Sequence, residues 1–173
     1  EPDEDAAPLL PARRRGFAMP DFTRVDNPVT GAERGIATHL ALQCMDFAKT
    51  GSLDAVKAEI ARLEHERFLS PREYAAVDAA AIYKLFASHL GARMKSADKL
   101  HREFKFSLLC DAGEIYGTAA GEELLLQGVV DCCLEERGKL CIIDYKTDAV
   151  HTAQEIAQRS AYYAGQLRAY AAA

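Results

Sequence analysis

The sequence predicts an α/β chain: helices through its first half, a three-stranded meander after them, and one more helix at the end. Three observations carry this. Apolar residues recur at three- and four-residue intervals between about residues 31 and 91, the period of amphipathic helices. From residue 104 the pattern changes to short apolar runs punctuated by glycines, which is strand chemistry. Thr152-Ala153-Gln154-Glu155 then restores a helix start, with a capping Thr and a Glu three residues on.

Residues 1 to about 30 hold five of the six prolines, an acidic start and the run Arg13-Arg14-Arg15, and read as a linker or extended arm. Residues 31–47 read as a helix with Ile36, Leu40, Cys44 and Phe47 on one apolar face and His39, Gln43 and Asp46 on the neighbouring one. Gly51-Ser52 breaks it. Leu53, Val56, Ile60 and Leu63 mark a second amphipathic helix. Ser70-Pro71-Arg72-Glu73 is a capping box with Pro at the first helical position. It opens a third helix carrying Tyr74, Val77, Leu85 and Phe86, with Gly91 as its expected stop. The helical part thus runs from about 31 to 100 and the strand-bearing part from about 101 to 173. Strands are expected over 104–109, 124–134 and 140–145. A turn-rich connection at 111–121 joins the first two, and an Arg137-Gly138 hairpin turn joins the last two. The closing helix places Ile156, Tyr163, Leu167 and Tyr170 on one side.

Composition narrows the function classes. The chain has 173 residues, of which 49% are hydrophobic, enough for one core of its own. No apolar stretch is long enough to cross a bilayer, and the acidic start lacks the pattern of a secretory signal, so no membrane partner is expected. Five cysteines, an odd number that includes the adjacent Cys132-Cys133, suit a reducing cytoplasmic setting better than a disulfide framework. The net charge of -5 counts against a stand-alone nucleic-acid binder, which usually carries a basic stripe.

Chemistry concentrates near the C-terminal end. Gly128-Val129-Val130-Asp131 and Ile142-Ile143-Asp144-Tyr145-Lys146 each end a short apolar run on an acid, and Lys146 follows two residues after the second acid. Taken singly, an Asp at a strand end is often a turn former, and a Lys after it a solvated residue. Together, two carboxylates on adjacent strands repel, and a hard cation relieves that repulsion. The lysine adds a compact positive charge beside the same oxygens. This is apparatus for cutting phosphodiesters. A lone His such as His39 is more often packed or solvated than a ligand. Gln166 and Tyr170, four apart on the last helix, share a face.

These segments resemble a known family. Gly128 to Asp131, Asp144-Tyr145-Lys146-Thr147-Asp148 and Gln166-Leu167-Arg168-Ala169-Tyr170 are similar to the signature of RecB-type nucleases of the PD-(D/E)XK superfamily. Glu33 to His39 and Leu42 to Phe47 resemble the histidine helix of those enzymes. Phe68 to Pro71, Leu90 to Met94 and Arg102 to Phe106 are similar to the C-terminal nuclease domains of AddA-type subunits of bacterial helicase–nucleases. The resemblance runs from about residue 31 to the end.

It implies a restriction-endonuclease-like core with a mixed sheet, and a nuclease module (an exonuclease) acting in double-strand break repair by recombination. It implies that His39, Asp131, Asp144 and the backbone carbonyl of Tyr145 bind Mg²⁺, or Mn²⁺ in its place. Lys146 assists the water or the scissile phosphate, and Gln166 and Tyr170 position substrate. Glu103, matching an acid on the first core strand, is a second-tier candidate. The implied partners are single-stranded DNA, helicase motor domains of the same polypeptide and an AddB-type subunit. Two departures stand out: Gly35-Ile36 where Gly-Thr is usual, and no strand after the last helix, so the core is expected to lack its final strand. Some relatives hold an iron–sulfur cluster with cysteines after the catalytic lysine; none follows Lys146, so no cluster is expected. The rival expectations are a silent nuclease fold kept for partner docking or DNA clamping, and a stand-alone RecB-type exonuclease.

Overall fold

The computed structural model describes residues 28–111, 113 and 123–172. The arginine run at 13–15 and most of the 111–121 connection lie outside these residues. Helix α1 spans Gly31–Cys44 and a single 3₁₀ turn follows at Phe47–Lys49. Four more helices complete the helical part: α2 (Leu53–His65), α3 (Pro71–Ala76), α4 (Ala79–Ala87) and α5 (His89–Ser96). Strands β1 (Lys99–Asp111), β2 (Glu123–Glu136) and β3 (Lys139–Ile143) form an antiparallel sheet in the order β1-β2-β3. Helix α6 (Ala153–Ala172) closes the chain. The expected α/β class and the meander are both present. The sheet is wholly antiparallel among the described residues rather than mixed.

The helix starts are chemically explicit. Thr30 and Glu33 make a reciprocal capping box at α1, and Ser70 with Glu73 makes another at α3. Thr152 and Glu155 repeat it at α6, where the Glu155 carboxylate also accepts from the amides of His151 and Thr152. Each box satisfies amides that a helix N-terminus leaves without intrahelical partners.

Two sequence expectations need correction here. The helix expected from Pro71 onward is three helices. Asp78 caps α4 by accepting from Ala80 and Ala81, and Ser88 caps α5 by accepting from Gly91. Short polar side chains that bond the backbone in this way favour caps over helix interiors. Gly91 therefore lies inside α5 and stops nothing. A Cβ there would stand 2.3 Å from the Leu85 carbonyl oxygen, so its role is to let α5 press against the end of α4. The buried stripe of α1 also differs from the expected face. Ala37, Ala41 and Leu42 are buried, Ile36 is 64% exposed, and Phe47 and Asp46 lie beyond the helix in the 3₁₀ turn. Periodicity chose the large side chains, whereas a close helix contact selects small ones.

The core joins the helices to one end of the sheet. Leu42, Met45, Phe47, Val56, Ile60, Leu63, Ile82, Phe86 and Met94 pack with Cys132, Leu134 and Ile143. Burial at about 25 cal/mol per Å² of apolar surface makes this the main source of cohesion. The end of α1 is fixed to β1 by Arg102. Its guanidinium donates to the carbonyls of Met45 at 2.7 Å and Leu42 at 3.3 Å and lies 4.7 Å above the Phe47 ring. Those carbonyls belong to the helix end and its cap, where intrahelical donors run out. The turn after α1 is held by the buried Glu59, which accepts from the Asp46 amide and pairs with Arg62.

Candidate nuclease site

The sheet register sets the site. β2 and β3 are joined by a turn at Arg137-Gly138 with both residues at positive φ, 50° and 73°. The last β2–β3 pair toward the site is Cys132↔Ile143. One step further along the same register sets Asp144, just past the end of β3, opposite Asp131. On the other side, the pairs Arg102↔Cys132 and Phe104↔Val130 flank Glu103, whose backbone therefore also faces Asp131. One row across the sheet carries Glu103, Asp131 and Asp144. Glu103 has φ of 51°, the left-handed region that a non-glycine residue enters at a cost of about 1–3 kcal/mol.

Helix α1 lies against this row. Gly35 makes the approach close: a Cβ there would be 3.1 Å from the Thr147 hydroxyl oxygen. One turn later His39 Nδ1 lies 3.3 Å from Asp131 Oδ1. Its ring meets the Tyr145 ring edge-on at 5.9 Å. The other Asp131 oxygen, Oδ2, accepts from the Tyr145 amide at 2.7 Å. His39 and Asp131 thus each also contact Tyr145, in the segment after β3. The Asp131 hydrogen bond raises the His39 pKa from its usual value, with burial opposing and a backbone hydrogen bond with Tyr145 adding to the rise. Burial alone would raise the Asp131 pKa, but hydrogen bonds from His39 and the Tyr145 amide outweigh it, and the carboxyl stays below the usual range. Asp131 is therefore a carboxylate at neutral pH.

Asp144 is the most buried carboxylate of the row, its side chain 6% exposed, and it pairs directly with the Lys146 ammonium. From Asp144, Lys146 reaches α6. Its Nζ donates to Gln166 Oε1 at 3.2 Å, and Gln166 Nε2 donates to the Tyr170 hydroxyl at 2.6 Å. Tyr170 is seated on the sheet edge-to-face with Phe106, ring centroids 5.6 Å apart. Gly128 leaves the room for this, since a Cβ there would be 2.7 Å from the Phe106 ring and 3.4 Å from that of Tyr170. The inward stripe of α6 is Tyr163, Gln166 and Tyr170. Ile156 and Leu167, expected on that side, are exposed. A polar stripe rather than an apolar one faces the sheet because its partner here is the Asp144–Lys146 pair.

The structure therefore brings His39, Asp131, Asp144, Tyr145, Lys146, Gln166 and Tyr170 into one continuous network, with the Glu103 backbone at its margin. Gln43 is exposed and Asp46 caps the 3₁₀ turn, so neither of the two residues expected beside His39 joins it. Two further members carry no role in the sequence reading, where Tyr163 is one position of a helix face and Asp148 one position of the signature segment. Tyr163 lies with its ring centroid 4.5 Å from Lys146 Nζ, and Asp148 accepts from the Tyr163 hydroxyl at 3.0 Å. The available signal was spacing: Tyr163 precedes Gln166 by one turn, and Asp148 follows Lys146 by two residues.

The donors suit a hard divalent cation in kind: carboxylate oxygens, one imidazole and a main-chain carbonyl, of which such an ion needs only a few. Among the described residues no three acidic, histidine or cysteine side chains converge as a ready cage, and Asp144 is closed onto Lys146. Among those residues, no helix is long and apolar enough to cross a membrane. All five cysteines are free thiols.

Known proteins give the same picture. A family profile described as the PD-(D/E)XK nuclease superfamily matches residues 12–173. Among similar curated proteins is an ATP-dependent helicase/nuclease subunit from Clostridium kluyveri, 33% identical over 155 residues, which are 85% of this chain and 13% of that protein. Proteins of the same name from Desulforudis audaxviator and Desulforamulus reducens are 36% and 37% identical, over 98% and 96% of this chain and 14% of each relative. The chain thus spans about a seventh of the length of these relatives. With a profile match over nearly its whole length and this site geometry beneath it, the chain belongs to the PD-(D/E)XK nuclease superfamily.

Proposed function

We propose that the chain is the nuclease module of a helicase–nuclease, and that it hydrolyses DNA phosphodiester bonds with Mg²⁺ or Mn²⁺. The observation that carries this reading is the meeting of His39, Asp131 and the Asp144–Lys146 segment, from three separate places in the sequence, around one sheet row. A nuclease fold retained only for docking would have no use for the full set.

In this reading His39, Asp131, Asp144 and the Tyr145 carbonyl hold the cation. The ion supplies an acidified water and charge stabilisation at a phosphoryl oxygen. The residues of the chain do the remainder. The Tyr145 amide and His39 orient the two oxygens of Asp131. Lys146, held between Asp144 and Gln166, presents an ammonium to the attacking water or the scissile phosphate. Gln166 and Tyr170 place that ammonium and the substrate. Glu103 stands as a second-tier acid at the row's edge.

The substrate is a single strand delivered by helicase motor domains of the same polypeptide. The chain's net charge of -5 gives little sequence-independent attraction for DNA, so a strand supplied at high effective concentration suits it. Docking to an AddB-type protein and a place in recombinational break repair in the cytoplasm complete the reading.

The test is cleavage of a labelled single-stranded DNA with and without Mg²⁺. Asp144→Ala and Asp131→Ala each abolish metal-dependent cleavage, a loss of at least about a thousandfold or ~4 kcal/mol. Lys146→Ala lowers turnover while calorimetry shows metal affinity retained. Cleavage retained by Asp144→Ala would sink the reading.

A further inference from the structure

The roles assigned above leave two side chains beside Lys146 unused. The Lys146 ammonium lies 4.5 Å from the centroid of the Tyr163 ring. The Tyr163 hydroxyl donates to Asp148 Oδ2 at 3.0 Å, and Arg159 Nε lies 3.6 Å from the other Asp148 oxygen. The ring is thus anchored at both ends, by its backbone on α6 and by its hydroxyl on the segment just after Lys146. A lysine ammonium rides on a flexible four-carbon stem. Here three contacts restrain it: the Asp144 carboxylate, the Gln166 amide oxygen and the face of Tyr163.

We propose that Tyr163 is a positioning residue: its ring face fixes the Lys146 ammonium, and Asp148 fixes the ring. The proposal rests on the assignment of Lys146 to the reaction. A packing role does not account for the geometry, because no described residue of α6 is fully buried. The nearest aromatic neighbour, Tyr162, is itself 75% exposed. A ring face beside an ammonium is attractive through the ring quadrupole. The Asp148 hydrogen bond also raises the Tyr163 pKa, which keeps the phenol neutral.

The test uses the whole chain, with a labelled single strand and Mg²⁺, beside Lys146→Ala. Tyr163→Leu lowers kcat about tenfold, the size expected of one cation–π contact, with KM for DNA, metal affinity and melting temperature unchanged. Tyr163→Phe keeps the face and stays within about threefold of the parent. Combining Tyr163→Leu with Lys146→Ala adds no further loss, because the ring acts through the lysine. Independently of activity, ring current moves the Lys146 ε-methylene protons upfield in a carbon–proton NMR spectrum, a shift lost in Tyr163→Leu and kept in Tyr163→Phe. Full turnover in Tyr163→Leu, equal damage in Tyr163→Phe, or an unshifted Lys146 signal each overturns the proposal. If Lys146→Ala cleaves as fast as the parent, or the parent does not cleave, the nuclease reading fails instead, and the NMR arm alone decides where Lys146 sits.

Discussion

Phe86 and Tyr170 are both aromatic residues on helices, yet their surroundings have little in common. Phe86 is fully buried against Phe47, ring centroids 4.6 Å apart, within a cluster fed by α1, α2, α4, α5 and the sheet. Tyr170 lies half-buried over one ring, Phe106, and accepts one hydrogen bond, from Gln166. The difference holds across the two halves. The helical half coheres by apolar burial, whereas α6 meets the sheet through a lysine, an amide, two phenols and a carboxylate. Burial is non-directional and scales with the apolar area removed from water; directed polar contacts contribute less cohesion but set positions. Cohesion is thereby concentrated away from the candidate site, and directed contacts within it.

This contrast can be broken in graded steps. After the loss of cleavage expected of the two acids, the largest effect belongs to the core. Phe86→Ala lowers unfolding free energy by about 3–5 kcal/mol, the range for emptying a large buried site. Urea denaturation checks it, and a loss under about 1 kcal/mol would mean that the helical half is not the stabilising one.

An intermediate effect belongs to the seam, where His39 of the helical half meets Asp131 of the sheet. The folded pKa of His39 is raised, so its contribution is complete below about pH 6.5, its unfolded value, and fades as pH rises through the folded value. Asp131 is lowered, so its part is present at neutral pH and fades only as pH falls through its depressed value. The stability gap between the parent and His39→Ala is therefore about 1 kcal/mol near pH 6 and shrinks as pH rises through the raised folded value, the pair being partly exposed. A gap that widens with pH would reverse the assignment.

The smallest effect lies on the outer side of α6. Ile156→Ser and Leu167→Ser, both at exposed positions, shift stability by no more than about 0.5 kcal/mol. A larger loss in thermal melts would show that α6 is held by apolar contact after all.

Much of the frame was legible because its signals are local. The capping boxes at Ser70 and Thr152, the Arg137-Gly138 turn and the Val56, Ile60, Leu63 stripe each lie within a few residues. The same turn put the strands that carry Asp131 and Asp144 side by side, and the observed register then set the two acids opposite one another. The helix breaks at Asp78 and Ser88 were also written locally, yet they were outweighed by an apolar period that runs straight across them.

What the sequence by itself determined is the class of each element, the hairpin between the last two strands and the residue types able to do phosphodiester chemistry. These depend on backbone conformations and neighbours a few positions apart. What only the tertiary structure decided is which of those residues meet. That His39 faces Asp131 depends on Arg102 holding the end of α1 and on Gly35 admitting the Thr147 segment. That Lys146 lies between Asp144 and the Tyr163–Gln166 stripe depends on Gly128 seating Tyr170 on the sheet. Such meetings are fixed by packing and close approach between distant segments, and no periodicity along the chain encodes a distance across it.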